Sequence, residues 1–357
     1  MAFVRRIVAL LAVLAVVMAG ASTVSAQSQP ADFGRYLEKD SGRIRVPAGV
    51  YDDATTRKAH DDPLVLVADG RVVIENGLEL LTGASNITLE GEFFVRGPVQ
   101  IRGATDITLV DVEITNPGIR GGTGVVVNRE RARAEPSERI VLRRLYIHDT
   151  YDDAIRIGSA NDVLVENVVA ERIFDVPQTT CNGEKCHDDA VQVMGPSTGI
   201  VLRDNDLEAN VILKTDLGDI EAELARNQIH DDHNVGLHLN QVDGTSLSVR
   251  LTDRNWIWNH PQGAVRVTGS PAIQGLDRII EAPPTPAEVP APQDPVPSVD
   301  PPAAGDAVAV FDDSDGMPAL TVALVAVGVV AVLLVVAAGL LPVFERRRAR
   351  LAATASD

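Results

Sequence analysis

Two stretches, "NDVLVENVVA" (residues 161–170) and "TGIVLRDNDL" (residues 198–207), carry the same pattern. In both, apolar and polar residues alternate, a polar residue breaks the alternation, and an apolar residue resumes it. Such alternation is typical of a β-strand with one buried face. The pattern recurs in "SNITLEG" (85–91), "TDITLVDVEI" (105–114), "ERIVLRRLYI" (138–147), "DIEAELARNQI" (219–229) and "SLSVRLTDRNWI" (246–257).

The copies recur at the spacing of stacked coils. The interval is 20 residues from Ile87 to Ile107 and 22 residues from Ile200 to Ala222, and two longer intervals of 33 and 37 residues contain insertions. A period of this length with strand-type alternation predicts a solenoid in which each repeat forms one coil on its neighbour.

A second strand follows the same period, in "DAIRI" (153–157), "DAVQV" (189–193), "VILK" (211–214), "VGLHL" (235–239) and "GAVRV" (263–267). Adjacent coils lie about 4.8 Å apart, so outward side chains at one position form a row along the axis. We expect this row to bind substrate through Gln192, Lys214, His238 and Arg266, with Arg156 in the coil before Gln192. A row of outward charges that only solvates the sheet is the alternative.

Asparagine recurs where the first strand of a coil ends. The positions are Asn167, Asn205, Asn227 and Asn255. Asparagine tolerates the left-handed backbone conformation of a tight corner. Its side-chain amide also predicts hydrogen bonding along the axis.

With these repeats and the opening "SGRIRVPAGVYDD" (41–53), the chain resembles the right-handed parallel β-helix proteins of the pectate lyase-like superfamily. The resemblance covers residues 35–275 and implies an all-β, right-handed parallel β-helix solenoid with a cap near residues 32–62. That superfamily contains lyases, hydrolases, epimerases and binding proteins, so a shared fold does not decide the activity. It implies a polysaccharide or cell-envelope glycan as the partner.

Paired aspartates stand at the entry of two consecutive second strands, in "YDDAIRI" (151–157) and "HDDAVQV" (187–193). Asp152 and Asp188 are expected at one position, with Asp153 and Asp189 at the next. Asn210, Asn234 and Gln262 are expected at the outer position in later coils. Carboxylates about 5 Å apart raise one another's pKa or recruit a cation, so Asp152 and Asp188 are candidate Ca²⁺ ligands. The alternative is that each carboxylate bonds the backbone of its own corner.

The same stretch resembles a polygalacturonase motif, G-D-D-C-x-A-x. This resemblance implies catalysis by the aspartates Asp152, Asp153, Asp188 and Asp189, and His187 beside them is a candidate for proton transfer. Resemblance to the pectate lyases implies Arg156 as the base, by analogy. However, the next coil, "EANVILK" (208–214), lacks that family's Gly-His-Gly turn. Histidine concentrates near this corner, at His148, His187, His230, His233, His238 and His260. A polysaccharide lyase or glycoside hydrolase and a non-catalytic binding or structural envelope module therefore both remain open.

The ends of the chain predict targeting segments. Residues 1–26 combine two arginines, an apolar run and "VSA", which predicts a signal peptide; a retained anchor is the alternative. Residues 317–343 contain an uncharged apolar run, and a transmembrane helix needs about 20 such residues. The arginines of residues 344–357 predict a cytoplasmic tail. We therefore expect the domain of residues 27–275 outside a bacterial cell membrane, held by a single pass.

The amino-acid composition of the chain limits the partners that it can bind. The net charge is −18, which disfavours nucleic acid and requires a local basic patch or a bridging metal for any polyanionic substrate. Residues 276–316 are rich in proline, alanine and acid and predict a disordered stalk or tether. The two cysteines, Cys181 and Cys186, predict a disulfide in an exported domain.

Overall fold

The computed structural model of the protein describes residues 30–52, 54–117, 122–131, 134–174, 188–231, 234–285 and 288. The chain divides into two compact units, Met1–Ala307 and Val308–Asp357, and all described residues belong to the first. Several predictions lie outside the described residues: the signal peptide, the transmembrane helix, the cytoplasmic tail, the Cys181–Cys186 disulfide, and the placement of His187 and His233. Within the described ranges, no helix combines the length and apolar character needed to cross a membrane.

One short α-helix, α1 (Gly34–Leu37), one 3-10 helix (Leu276–Arg278) and a single 24-stranded parallel sheet make up the regular structure of the described residues. The strands are β1 (Ala31–Asp32), β2 (Gly42–Asp52), β3 (Thr55–Thr56), β4 (Ala59–Glu75), β5 (Leu78–Leu81), β6 (Ser85–Arg96), β7 (Val99–Arg102), β8 (Thr105–Thr115), β9 (Val125–Asn128), β10 (Ser137–Arg143), β11 (Tyr146–Thr150), β12 (Ile155–Glu166), β13 (Val169–Ile173), β14 (Val191–Arg203), β15 (Asp206–Glu208), β16 (Val211–Lys214), β17 (Ile220–Ala225), β18 (Gln228–His230), β19 (Leu237–Asn240), β20 (Leu247–Leu251), β21 (Asn255–Trp258), β22 (Val265–Thr268), β23 (Ala272–Gln274) and β24 (Ile279–Ile280).

These strands stack into a parallel β-solenoid of about ten coils, which confirms the all-β parallel solenoid of the predicted fold class. Three faces run along it. Face A comprises β5, β7, β9, the starts of β12 and β14, and β16, β19 and β22. Face B comprises β10, β17, β20, β23 and the parts of β6, β8, β12 and β14 in register with them. Face C comprises β11, β13, β15, β18, β21, β24 and the ends of β6 and β8.

Inward side chains of one register position form apolar stacks that fill the tube. Ile87 pairs with Ile107, and Ile200 pairs with Ala222, as the sequence spacing predicted. On face A, Ile155, Val191 and Val211 lie in register and are fully buried. Each such side chain contributes about 1.5–3 kcal/mol by leaving water, so the stacks supply most of the stability.

The predicted asparagine ladder exists, with one member fewer. The Asn205 side-chain Nδ2 donates to Asn227 Oδ1 at 2.8 Å, and Asn227 Nδ2 donates to Asn255 Oδ1 at 2.9 Å. Asn167 does not belong to the ladder, but it is the one of the four that has the predicted left-handed backbone conformation, which the three ladder residues do not have. It has a φ of 53° and precedes Val168, whose backbone N–H donates to Asn205 Oδ1 at 2.9 Å. Val168 therefore occupies the ladder position of its coil.

One coil is in a different register from the sequence alignment. Lys214 pairs with Met194 and Asn240, whereas Ile212 lies between Gln192 and His238. The expected stacking of Lys214 on Gln192 is therefore wrong by two residues. The backbone N–H of Ala190 donates to the carbonyl of Asn210 at 2.9 Å. Asn210, in the next coil, therefore stacks on Ala190 and not, as the sequence predicted, on Asp188.

Charges on neighbouring coils of face B alternate in sign. Glu166 lies in register between Arg143 and Arg203 and accepts hydrogen bonds from both guanidinium groups. At the adjacent corner, Arg226 donates to Asp204 at 2.6 Å and to Asp253 at 3.1 Å. Cross-coil ion pairs therefore hold the outer surface in register.

The two ends of the solenoid differ. At the N-terminal end, α1 and Phe33 cover the core, and the Phe33 ring lies 5.8 Å from Tyr51 and 6.1 Å from Phe93 between centroids. This cap is shorter than predicted, because β2 already pairs with β4 as the first coil. At the other end, strands continue to Ile280, and Val267 and Leu276 remain 46% and 48% exposed.

Candidate functional site

Asp152 and Asp153 lie at the corner between β11 and the start of β12, and Arg156 from the same strand binds both. Arg156 Nη2 lies 3.0 Å from both oxygens of Asp152, and Nε donates to Asp153 Oδ2 at 2.7 Å. Thr123 Oγ1 donates to Asp152 Oδ2 at 3.0 Å. We name Asp152, Asp153, Arg156, Asp188 and Asp189 the carboxylate centre.

The second aspartate pair stacks on the first. Ile155 pairs with Val191, and the backbone N–H of Ala154 donates to the carbonyl of Asp189 at 2.9 Å. The four carboxylates therefore occupy consecutive coils as predicted. Asp153 and Asp189 are 0% and 2% exposed, whereas Asp152 and Asp188 are half-buried and form the surface of the centre.

Burial of the inner pair changes its protonation. Burial raises the pKa of Asp153 to about 7, against the opposing effect of Arg156 and with a further increase from Asp152. Burial, followed by the charges of Asp153 and Asp188, raises the pKa of Asp189 well above its usual value, and the Asn210 and Gln192 amides oppose this rise. Gln192 Nε2 donates to Asp189 Oδ2 at 3.0 Å. The inner pair is therefore suited to hold a proton near neutral pH.

The predicted Ca²⁺ ligand Asp152 already bonds to a cation, the Arg156 guanidinium. Among the described residues, no cluster of three or more His, Cys, Asp or Glu side chains has the arrangement of a metal site. Calcium binding at Asp152 and Asp188 remains a prediction that this geometry does not support.

Two aromatic rings stand beside the centre and were not anticipated from the sequence. Tyr151 precedes Asp152, and its ring centroid lies 5.4 Å from that of Phe174. The Phe174 backbone N–H donates to the carbonyl of Thr150 at 2.8 Å, so the ring is fixed at the corner although 40% of the residue is exposed. With aromatic residues at only 4% of the chain, an unexplained aromatic on each side of the paired aspartates was the available signal.

The predicted binding row continues along face A beyond the centre. Arg156 pairs with Gln192, Gln192 with Ile212, and then His238 and Arg266 follow in register. Lys214 lies on the same face, two residues along its strand from Ile212. Lys214 Nζ bonds Asp216 at 2.9 Å, and Arg266 Nη2 donates to Gln262 at 2.6 Å. The structure thus brings the row to one face but interrupts it with an apolar residue.

The histidines do not converge on the centre. His148 and His230 belong to face C, each hydrogen-bonded to two carboxylates. His260 Nε2 lies 3.2 Å from the carbonyl of Ile229. Only His238 of the described histidines points along the predicted binding row on face A. Proximity in sequence to the corner was therefore a poor guide to the face on which a histidine lies.

No protein-family model and no curated protein matches the chain. Among solved structures, it is similar to the A-module of mannuronan C-5 epimerase AlgE4 from Azotobacter vinelandii, at 15% identity over 66% of this chain and 67% of that one, with a TM-score of 0.34. It is similar to an alginate lyase from Paenibacillus sp. str. FPU-7 at 13% identity over 69% and 94%, with a TM-score of 0.35.

A third similar structure is iota-carrageenase complexed to iota-carrageenan fragments, at 13% identity and a TM-score of 0.36. The alignment covers 59% of this chain and 51% of that one, so the chain spans about half the length of the carrageenase. The three names describe proteins that act on polysaccharides. At these identities and TM-scores, the similarity does not decide what this chain does.

Proposed function

We propose that the chain binds polysaccharide along face A, with the carboxylate centre and the Tyr151–Phe174 pair as the main subsite. The observation that carries the proposal is an aromatic pair, with Phe174 exposed and Tyr151 half-buried, fixed directly beside a half-buried Asp152–Arg156 pair. Aromatic faces pack on the apolar face of a sugar ring, while carboxylate and guanidinium groups bond its hydroxyl groups. A solenoid face offers such contacts in repeated order along an extended chain.

Binding fits the geometry better than cleavage. A glycoside hydrolase needs two carboxyl groups that reach the sugar from either side of the bond. Here Asp153 and Asp189 are buried, and Asp152 is neutralised by Arg156. A lyase or hydrolase that uses Asp152, Asp188 and His187 is the finer alternative, and the assay below measures cleavage in the same samples.

The test is a polysaccharide panel incubated with the purified folded domain, with and without calcium. Binding is measured by affinity electrophoresis, and cleavage by reducing ends and by absorbance of unsaturated products. Tyr151→Ala with Phe174→Ala should weaken binding roughly tenfold, since each lost stacking contact costs about 0.5–1.5 kcal/mol. Leu276→Ala is the matched control, because Leu276 is 48% exposed and lies between β23 of face B and β24 of face C. Equal loss in both variants, or no binding by the parent protein, contradicts the proposal.

We further propose that the domain is held outside a bacterial cell by the segment of residues 317–343. The support is its uncharged apolar run followed by arginines. Protease added to intact cells should release the solenoid by cutting within residues 286–316. A chain that remains whole after such treatment contradicts this orientation.

A further inference from the structure

We infer that the last three coils of face A form a subsite for an anionic group of the glycan, so that the bound polysaccharide carries carboxylate or sulfate groups. The subsite consists of Lys214 on β16, His238 on β19 and Arg266 on β22, which we name the basic triad. This inference rests on the proposed function and specifies the class of glycan.

The basic triad is a local exception to the charge of the protein. The chain carries a net charge of −18, and a polyanion would be repelled unless a local positive region received it. His238 is in register with Arg266, and Lys214 is in register with Asn240 on the strand of His238. Three basic side chains therefore project from three successive strands, each about 4.8 Å from the next.

The partners of the triad leave room for a ligand. Lys214 bonds Asp216 but its side chain is 43% exposed, and the exposed Arg266 bonds only a neutral amide, Gln262, among the described residues. His238 is half-buried and has one weak contact, 3.4 Å from Thr268 Oγ1. An arginine without a carboxylate partner is suited to bind a carboxylate or sulfate by two parallel hydrogen bonds.

The pKa of the His238 imidazole depends on the charges around it. Burial, then the charges of Arg266 and Lys214, lower the pKa of His238, so it is neutral at neutral pH. Burial alone does not distinguish a ligand site, but the two neighbouring cations act on the same ring. An anion bound between them would cancel their effect and favour the protonated form of His238.

The triad also lies at a useful distance from the carboxylate centre. Counting β12, β14, β16 and β19, three coil spacings separate Arg156 from His238, or about 14 Å. A polysaccharide lying along face A therefore reaches the Tyr151–Phe174 pair and the triad at once. Ile212, between Gln192 and His238, offers an apolar contact midway.

The test is an NMR titration of the His238 imidazole from about pH 5 to about pH 8, assigned with His238→Asn. The probes are trigalacturonate for carboxylate, a sulfated tetrasaccharide for sulfate, and neutral maltotetraose. Either anionic probe should raise the pKa of His238, and the probe that does so identifies the anion. Maltotetraose should leave it unchanged. An unchanged His238 pKa with both anionic probes overturns the inference.

Affinity gives the second measurement. Lys214→Gln with Arg266→Gln should weaken binding of the anionic probe roughly tenfold at low salt and reduce its salt dependence. Arg250→Gln with Arg254→Gln, which also removes two positive charges but away from face A, should have no such effect. If Tyr151→Ala with Phe174→Ala abolishes binding but the triad variant does not, the proposed function stands and the anionic subsite is refuted. If no oligosaccharide binds the parent protein, both are refuted.

Discussion

Arg156 determines whether the corner between face C and face A is stable. Two carboxylates on one coil, with a third and fourth on the next, would destabilise a low-dielectric corner if all were ionised and unpaired. The guanidinium spreads one positive charge over Asp152 and Asp153, and the raised pKa of Asp153 and Asp189 allows the inner pair to hold a proton. The folded chain binds that proton more tightly than the unfolded chain. Stability therefore falls as pH rises from the ordinary aspartate value toward about 7.

Arg156→Met should lower the free energy of unfolding by about 3 kcal/mol near pH 8, since breaking a buried pair leaves a charge without its partner. Near pH 5 the loss should be smaller, because Asp153 is then protonated and needs no cation. Urea unfolding at the two pH values measures the difference. Arg266→Met, at an exposed position, should change stability by less than about 0.5 kcal/mol. A loss from Arg156→Met that is independent of pH contradicts this account.

At the level of strands and corners, the same hydrogen-bond arrangements recur at equivalent positions of different coils. The asparagine ladder satisfies backbone groups of three corners with amides buried in the tube. On face C, "IHD" occurs twice, at residues 147–149 and 229–231, and both copies fold alike. His148 bonds Asp149 at 2.6 Å and His230 bonds Asp231 at 2.7 Å, and each aspartate has a left-handed φ.

Asn227→Ala should lower the free energy of unfolding by about 3 kcal/mol, because it leaves Asn205 Nδ2 and the carbonyl of Leu202 without their buried partner. Chemical denaturation of the parent and variant gives the value. Asn240→Ala removes the same side chain from the outer surface of face A and should change the free energy of unfolding by less than about 0.5 kcal/mol. If the two variants lose equal stability, the ladder does not have this role.

The histidine corners should give a pH dependence of the same sign as that of Asp153 but in a higher pH range, because folding raises the pKa of all three groups. Burial lowers the pKa of His148 and His230, but hydrogen bonds that His148 donates to Glu113 and Asp149, and His230 to Asp206 and Asp231, raise it overall. Their stabilisation is full below the ordinary histidine pKa and is lost as pH rises through the raised value.

His148→Gln and His230→Gln should therefore cost more stability at about pH 5.5 than at about pH 9. Denaturant midpoints at the two pH values check this. His238→Gln is the control, since the pKa of His238 is lowered and its substitution should not show the same trend. If the stability lost on substitution of the two histidines increases with pH, the histidines do not stabilise the fold as protonated groups.

The sequence was sufficient for the period, the parallel stacking and the coil in which each aspartate lies. It was not sufficient for the register of β16. The coil before Val211 is shorter at its corner, and a shift of two residues keeps every side chain on the same side of its strand. Alternation therefore could not reveal that Ile212, and not Lys214, lies over Gln192. Tyr151 and Phe174 stand one coil period of 23 residues apart and follow the paired residues Thr150 and Ile173, so the repeat itself marked this contact, although the contact was not predicted.

The solenoid of the described residues is close to one-dimensional, because the backbone ladder of each coil pairs only with the coil before and the coil after it. Its core is covered by α1 at one end, while Val267 and Leu276 remain exposed at the other within the described residues. Local stability should therefore decrease toward the last coils. This gradient follows from the number of neighbours and does not depend on any single residue.

Hydrogen exchange followed by mass spectrometry should show faster exchange in β22–β24 than in β14–β16. The last strands pair on one side only, whereas Val211 is paired on both sides by Val191 and Leu237. The N-terminal strands β2 and β4 serve as the comparison, because α1 and Phe33 cover them. Equal protection at both ends would show that the last coils are covered by other parts of the chain.

The alternation of charge along the axis has a consequence for how such a chain grows by gene duplication. Copying any one of the three coils that carry Arg143, Glu166 and Arg203 would place an arginine directly over an arginine, or Glu166 over its own copy, about 4.8 Å apart. Copying the coils of Glu166 and Arg203 together would keep this row alternating in sign. The arrangement of Arg143, Glu166 and Arg203 therefore makes the pair of coils the smallest unit that duplication can add without electrostatic penalty.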